Sequence, residues 1–220
     1  MFVARRMKKN IVTVTPSISL FEAQGRMREH AVRQIPVVSE DGTLLGIVSD
    51  RDIRTAVLPA GLVPGFTAGE AEKSMKSTPV ERVMTRKVVT ATITDTLEDA
   101  IVLLHDFRVN ALPVVDGAGK VAGIITRTDV LEAFIDTLGV GEVSSRLEVV
   151  VPDRPGALAQ LAAIIGSFHV NITSVLSIRH VEAEKRANFL RIATLNIGPI
   201  RKAIEDAGFE ILDPARFLLP

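Results

Sequence analysis

The residues best suited to do chemistry are a hydroxyl and a carboxylate three positions apart, which occur in two similar motifs. In the first motif, GIVSDRD, they are Ser49 and Asp52, and in the second, GIITRTD, they are Thr126 and Asp129. Each motif stands where a predicted strand ends and a predicted helix begins. A hydroxyl beside the free N–H groups of a helix N-terminus suits a phosphate, and a carboxylate can accept both hydrogen bonds of a ribose diol. The motifs therefore predict two related ligand sites.

The same pattern is also that of a capping box, in which the hydroxyl and the carboxylate bind backbone N–H groups at the start of a helix. A duplicated cap would look identical in sequence, so both interpretations stay open. Gly46 and Gly123 begin the two motifs. Because glycine has no side chain, we expect a flat base or a sugar to approach the strand closely at these positions.

The two motifs belong to a longer repeat with a constant offset of 77 residues. The first copy contains Met7, Thr13, Pro36, Val37, Val38, Gly42, Gly46, Ile47 and Asp52, and the second contains Met84, Thr90, Pro113, Val114, Val115, Gly119, Gly123, Ile124 and Asp129. A duplication of this kind predicts two copies of one small fold that pack on each other. Neither copy alone could bury enough surface to be stable.

Hydrophobic periodicity predicts a β-α-β-β-α unit for each copy. In the second copy the elements are expected at 87–91, 96–107, 111–115, 121–126 and 127–138, and in the first copy the helix, two strands and helix at 20–30, 35–38, 44–49 and 51–58. The connection between the copies is rich in Pro and Gly, and it could form a helix at 68–75. The expected domain bounds are 1–60 and 79–141 for the two copies, with a linker at 61–78.

The C-terminal part follows a different pattern, β-α-β-β-α-β, which is the ferredoxin-like order. Its strands are predicted at 146–151, 171–179, 188–197 and 209–212, its helices at 157–168 and 199–207, and a solvated loop at 182–186. The expected bounds of this third domain are 145–215. The predicted fold class is therefore mixed α+β.

Composition limits the classes of function. The chain has 26 basic and 26 acidic side chains and neither Cys, Trp nor Tyr, so we expect neither nucleic acid nor a membrane as a partner. The four His residues are scattered, which argues against a metal site. Without a nucleophile motif or an acid–base pair, we expect no enzyme and no obligatory cofactor. With no signal peptide and no apolar run of roughly 18 residues, the expected location is cytoplasmic.

The repeat pair resembles a tandem of CBS domains, also called a Bateman module, through QIPVV with GIVSDRD and ALPVVD with GIITRTD. In that family, adenosine compounds such as AMP, ADP, ATP and S-adenosylmethionine bind between the two domains. The resemblance implies that Ser49 and Thr126 face phosphate and that Asp52 and Asp129 hold ribose. It implies adenine contacts around Thr13, Gln34, Ile35, Pro36, Thr90, Ala111, Leu112 and Pro113. Arg51 and Arg127 would each lie near a phosphate but at different motif positions, so the two sites are expected to be unequal.

The C-terminal part resembles an ACT domain through the motif DRPGAL, followed by Asn171-Ile172. Such domains commonly bind an amino acid or a similar effector, which implies contacts from Asp153, Gly156, Ala157, Leu158, Asn171 and Ile172. The alternative is a plain turn and helix start in a domain that serves only for dimerisation. The order CBS, CBS, ACT resembles the acetoin-utilisation protein B family of bacteria.

These patterns predict a non-catalytic sensor in which an adenine nucleotide is the ligand and an unidentified protein is regulated. The alternative is an interaction scaffold whose sites are unoccupied. A homodimer is expected because apolar residues on the last helix of the repeat pair, Leu131, Phe134, Ile135 and Leu138, cannot be covered within one pair.

Overall fold

The computed structural model describes residues 1–57 and 67–213. The chain forms two compact units, Met1–Leu131 and Glu132–Pro220. The first contains the two repeats and the second contains the C-terminal α+β part. The predicted helix end and linker within 58–66, and the end of the predicted third domain at 214–215, lie outside the described residues.

The first unit follows the predicted element order closely. Its elements are α1 (Leu20–Glu29), β1 (Gln34–Val38), β2 (Leu44–Ser49), α2 (Asp50–Ala56), α3 (Ala68–Ser77), β3 (Ala91–Thr92), α4 (Leu97–Asp106), β4 (Ala111–Val115) and β5 (Val121–Thr126). A further helix, α5 (Arg127–Thr137), begins in this unit and ends in the second. In both copies the two long strands are antiparallel neighbours. The mixed α+β fold class is confirmed.

The predicted strand at 87–91 is wrong for most of its length. Only Ala91–Thr92 forms a strand, which pairs in parallel with Val114 and Val115 of β4. In the first copy the corresponding element is reduced to one parallel bridge between Val14 and Val37. The β-branched residues before Ala91 indicated a strand, but they find no ladder partner of their own.

The two copies are joined by a reciprocal exchange of their N-terminal segments. Lys8 of the first copy bridges Ile124 of the second, and Thr85 of the second bridges Ile47 of the first. Each bridge consists of two backbone hydrogen bonds of 2.9–3.0 Å. Because the offset of 77 residues relates the two bridges, the copies are arranged with an approximate twofold symmetry.

The same exchange builds the hydrophobic core of the first copy. Val80 and Met84 belong to the second copy by sequence, yet they are buried with Leu20, Ile35 and Ile53. The first copy therefore does not complete its own core, as its small size required.

The second unit contains one four-stranded sheet and two helices. Its elements are β6 (Ser145–Pro152), α6 (Ala157–Gly166), β7 (Ile172–Arg179), β8 (Lys185–Ile192), α7 (Gly198–Asp206) and β9 (Glu210–Ile211). The strand order β7-β8-β6-β9 is that of a ferredoxin-like fold. Leu147 and Leu190 from the sheet are buried together with Leu161 and Ile165 of α6 and Ile204 of α7.

The third strand of this unit lies several residues earlier than predicted. β8 begins at Lys185, which pairs with Pro152, and it ends at Ile192 rather than at 197. The predicted solvated loop at 182–186 is therefore wrong for Lys185 and Arg186. Both neighbouring strands offer partners to this segment, so backbone pairing prevails over its charged sequence. Within residues 1–57 and 67–213, no helix combines the length and the apolar character that a membrane crossing requires.

Candidate ligand-binding site in the repeat pair

A cavity of about 370 Å³ lies beside the N-terminus of α2. Residues of both copies line it, because the exchanged segment after Met84 and the residues before β4 reach the start of α2. We call it the Ser49 cavity. Its lining residues are Arg33, Gln34, Ile47, Ser49, Asp50, Arg51, Asp52, Arg54, Thr85, Lys87, Val88, Val89, Arg108, Val109, Asn110 and Ala111.

Ser49 and Asp52 form a complete capping box at this end of α2. Asp52 Oδ2 accepts hydrogen bonds from the Ser49 N–H at 2.8 Å and from the Ser49 hydroxyl at 2.6 Å. The Asp52 N–H donates to Ser49 Oγ at 3.2 Å. The only proton of the Ser49 hydroxyl is thus used within the box. Asp52 Oδ1, by contrast, has no hydrogen-bond partner among the described residues.

The Ser49 cavity is electropositive. Five basic side chains and two carboxylates line it, and one pair, Arg54 and Asp50, forms an ion pair of 2.6 Å. The remaining basic residues form no ion pair with any described residue: Arg33, Arg51, Lys87 and Arg108. Unpaired cations around one unpaired carboxylate oxygen suit a ligand that carries both anionic groups and hydroxyls.

A second cavity, of about 590 Å³, lies beside the N-terminus of α5, and we call it the Thr126 cavity. Its lining residues are Lys8, Ala31, Val32, Arg33, Gln34, Asn110, Ala111, Ile124, Thr126, Arg127 and Thr128. Shifted by 77 residues in either direction, every one of them corresponds to a residue that lines the Ser49 cavity. The two cavities are therefore repeat equivalents that share Arg33, Gln34, Asn110 and Ala111.

The Thr126 cavity has the same capping box but a different charge arrangement. Asp129 Oδ2 accepts from the Thr126 N–H at 2.8 Å and from its hydroxyl at 2.6 Å. Asp129 itself is only 5% exposed and does not line the cavity. The Arg127 guanidinium donates to the carbonyls of Val109 and Leu104 at 2.9 and 3.1 Å, so it holds the end of α4 rather than standing free in the cavity.

The glycines of the two motifs do not leave room for a ligand, contrary to the expectation. A Cβ at Gly46 would lie 2.7 Å from Met84 Sδ, and one at Gly123 would lie 2.7 Å from the Lys8 carbonyl oxygen. The space in front of each strand is filled by the exchanged segment of the other copy. These glycines serve the docking of the two copies.

Six of the residues expected near adenine line neither cavity. Ile35 and Leu112 are fully buried in the core, and the Thr13 carbonyl accepts a hydrogen bond from Arg26 at 3.3 Å. The set is Thr13, Ile35, Pro36, Thr90, Leu112 and Pro113. Sequence reasoning in turn missed Lys8, Thr85, Lys87 and Arg108, which line the cavities from the opposite copy.

A third capping box of the same geometry stands away from both cavities. Asp99 Oδ2 accepts from the Thr96 N–H at 2.9 Å and from the Thr96 hydroxyl at 2.6 Å. The hydrogen bond from the Thr96 side chain, followed by that from its backbone, lowers the pKa of the Asp99 carboxyl below its usual value. This box caps a helix whose start lines neither of the two cavities, so the cavities, not the boxes, distinguish the first two.

Comparison with known proteins identifies the two repeats. A CBS domain model matches residues 3–59 and again residues 80–136, one match for each copy. The chain belongs to the CBS-domain family. An ACT domain model matches residues 145–209, so the architecture of a CBS pair followed by an ACT domain is confirmed.

Three relatives illustrate the likeness. Protein MJ1426 of Methanocaldococcus jannaschii is 34% identical over 155 aligned positions, which cover 61% of this chain and 92% of that protein. The structure of CBSX2 of Arabidopsis thaliana in complex with AMP is 30% identical, with a TM-score of 0.51, and covers 61% of this chain and 96% of that one. The CBS pair of protein MJ0100, in complex with 5′-methylthioadenosine and S-adenosyl-L-methionine, is 27% identical, with a TM-score of 0.51, over 61% of this chain and 95% of that one.

In the ACT domain, the expected effector residues lie in two places. Asp153, Gly156, Ala157 and Leu158 lie at the start of α6, which follows the end of β6 at Pro152, whereas Asn171 and Ile172 lie near the other end of β6, where Ile192 pairs with both Ile172 and Ser145. Gly156 has a left-handed conformation (φ 86°), no side chain caps the helix, and a Cβ at this glycine would meet only open space. The Ala157 N–H bonds the Arg154 carbonyl at 3.3 Å. Leu158 is 41% exposed. Asp153 Oδ1 lies 3.7 Å from Arg186 Nε. At the start of β7, the Asn171 carbonyl accepts from the Ala193 N–H, and Ile172 pairs with Ile192.

Sequence reasoning missed one further polar residue of the ACT domain. Asn188 of β8 is 1% exposed, and neither its Oδ1 nor its Nδ2 has a hydrogen-bond partner. A buried amide without partners costs about 1–3 kcal/mol. It lies on the sheet face that carries Leu190 and Ile192, so no pattern of charge or turn residues marked it.

Proposed function

We propose that this protein is a non-catalytic sensor whose CBS pair binds an adenosine ligand in the Ser49 cavity. The observation that carries the proposal is the combination, in one cavity lined by both copies, of an unpartnered carboxylate oxygen on Asp52 with four unpaired cations. The adenosine ligands of CBSX2 and MJ0100 support the class of ligand.

The ribose and the phosphates of such a ligand each find a matching group. Asp52 Oδ1 accepts the hydrogen bonds of the ribose diol. The phosphates are held by Arg33, Arg51, Lys87 and Arg108, because charge-assisted hydrogen bonds are the strongest available there. Since the Ser49 proton is used in the capping box, Ser49 supports Asp52 rather than donating to phosphate. This charge distribution favours AMP, ADP or ATP over S-adenosylmethionine, which bears no phosphate.

Binding becomes a signal only if two arrangements of the protein differ in affinity for the ligand. The affinity of the Ser49 cavity for the ligand changes when the two copies move relative to each other, because its cations come from both copies. The ACT domain then passes the change to an unidentified regulated protein, or adds the response to an amino-acid effector. The resemblance to the acetoin-utilisation protein B family supports a link between this sensor and acetoin utilisation.

Isothermal calorimetry with AMP, ADP, ATP and S-adenosylmethionine tests the proposal. We expect saturable heat with the nucleotides and weaker or no heat with S-adenosylmethionine. A thermal-shift panel of amino acids tests the ACT domain in parallel, because a ligand stabilises the folded state by RT ln(1 + [L]/Kd). Absence of saturable heat with every adenosine compound would contradict the proposal and favour an interaction scaffold with unoccupied sites.

A further inference from the structure

The two cavities differ at several repeat positions, and one of these is the position of Lys8 and Thr85. Lys8 and Thr85 occupy equivalent places: each bridges the strand that carries the first half of the opposite copy's motif, at Ile124 and Ile47. Both side chains line their cavities. One cavity thus has a short neutral hydroxyl where the other has a long ammonium.

Lys8 binds the oxygen of Asp129 that corresponds to the unpartnered oxygen of Asp52 in the Ser49 cavity. Lys8 Nζ lies 3.3 Å from Asp129 Oδ1, while Asp129 Oδ2 is used by the capping box. Both oxygens of this carboxylate are therefore engaged, and the side chain is buried below the cavity wall. Thr85 makes no such contact with Asp52, which remains half-buried and lines its cavity.

A ribose diol would have to compete with the Lys8 ammonium for Asp129. The diol is neutral, and hydrogen bonds from a charged donor are roughly twice as strong as those from a neutral one. Phosphates would also meet fewer free cations than in the Ser49 cavity, because Arg33 lines both cavities but Arg127 is held by the carbonyls of Leu104 and Val109. Lys8 is mostly exposed, so its removal leaves no hole in the core.

We propose that the residue at the Lys8/Thr85 position determines which CBS cavity accepts ribose. Thr85 leaves Asp52 free to bind a ribose in the Ser49 cavity. Lys8 occupies Asp129 and so excludes ribose from the Thr126 cavity. This inference rests on the proposed function and adds to it that the chain binds one adenosine ligand, not two.

Reciprocal exchange of the two residues tests the inference. AMP and ATP are titrated separately by calorimetry into the full chain, into Lys8→Thr and into Thr85→Lys. We expect one site per chain in the wild type, a second site in Lys8→Thr, and at least a tenfold loss of affinity in Thr85→Lys. Lys9→Thr is the matched control, since it makes the same change of charge one residue away, and we expect it to retain a single site of unchanged affinity.

The possible outcomes separate this inference from the proposed function. Two sites in the wild type, or one site of unchanged affinity in both wild type and Lys8→Thr, would overturn the inference and leave the nucleotide sensor intact. If neither the wild type nor Lys8→Thr binds AMP or ATP, both this inference and the proposed function are overturned. If Thr85→Lys does not fold, as its circular dichroism would show, the number of sites in Lys8→Thr decides alone.

Discussion

Replacing Asp52 with Ala removes two contributions that can be measured separately, one to stability and one to binding. The capping box loses its carboxylate, which accepts two hydrogen bonds from Ser49. Loss of such a cap costs about 1 kcal/mol, which lowers the melting temperature by about 2–5 °C for a domain of this size. The Ser49 cavity also loses the carboxylate oxygen that holds ribose in our account.

The effect on binding is larger than the effect on stability. A hydrogen bond to a charged group contributes about 1.5–3 kcal/mol, and about 1.4 kcal/mol is a factor of ten in Kd. We therefore expect AMP to bind Asp52→Ala about 10- to 100-fold more weakly. The loss of affinity is closer to tenfold if the four unpaired cations attract phosphate more strongly once the carboxylate is gone.

Asp99→Ala is the matched control for this experiment. It removes a capping box whose hydrogen-bond distances are nearly identical to those of the Ser49/Asp52 box. The helix that this box caps begins away from both cavities. Both variants should melt a few degrees below the wild type, whereas only Asp52→Ala should lose affinity in calorimetry. Unchanged AMP affinity in Asp52→Ala, with the same loss of melting temperature in both variants, would refute the ribose role and leave Asp52 as a helix cap alone.

Three further predictions concern packing and assembly. Gly123→Ala should destabilise the protein by about 1–3 kcal/mol in urea unfolding, because its Cβ would lie 2.7 Å from the Lys8 carbonyl oxygen. Gly117→Ala, whose Cβ meets nothing within 4 Å, is the control, and equal stability of the two variants would contradict the docking role. Asn188→Val should raise the melting temperature, because the buried amide of Asn188 has no hydrogen-bond partner among the described residues, and a lower melting temperature would contradict this. Light scattering should give a dimer of the 23.8 kDa chain, because α5 exposes large apolar side chains and β7 is an edge strand, whereas a monomer at micromolar concentration would argue against this.

Local sequence was sufficient where neighbouring residues determine the structure. The strands at 44–49, 111–115 and 121–126 have the predicted bounds, since each ends at a turn or at a helix cap that the sequence specifies. The predicted strand at 87–91 failed because a strand needs a partner, and β4 offers one only from Val114 onward. β8 begins earlier than predicted because partners are available for its first residues. β6 pairs with Lys185 and Arg186, and β7 pairs with Arg186.

The candidate site was predictable in its motif but not in its surroundings. The repeated hydroxyl and carboxylate indicated Ser49 and Asp52, and both line the Ser49 cavity. Lys8 and Thr85 were missed because they reach the cavities only through the exchange of segments between copies, which no local pattern specifies. The available signal was the repeated Met7 and Met84, each of which precedes one of these two residues.

A crystal structure of the full chain grown with AMP tests the central claim most directly. Our account predicts ligand density in the Ser49 cavity, with the ribose hydroxyls within hydrogen-bond distance of Asp52 Oδ1 and the phosphate among Arg33, Arg51, Lys87 and Arg108. It also predicts that Lys8 remains paired with Asp129 and that the Thr126 cavity holds no nucleotide. Density for AMP only in the Thr126 cavity, or bound elsewhere on the protein with the Ser49 cavity empty, would contradict the account.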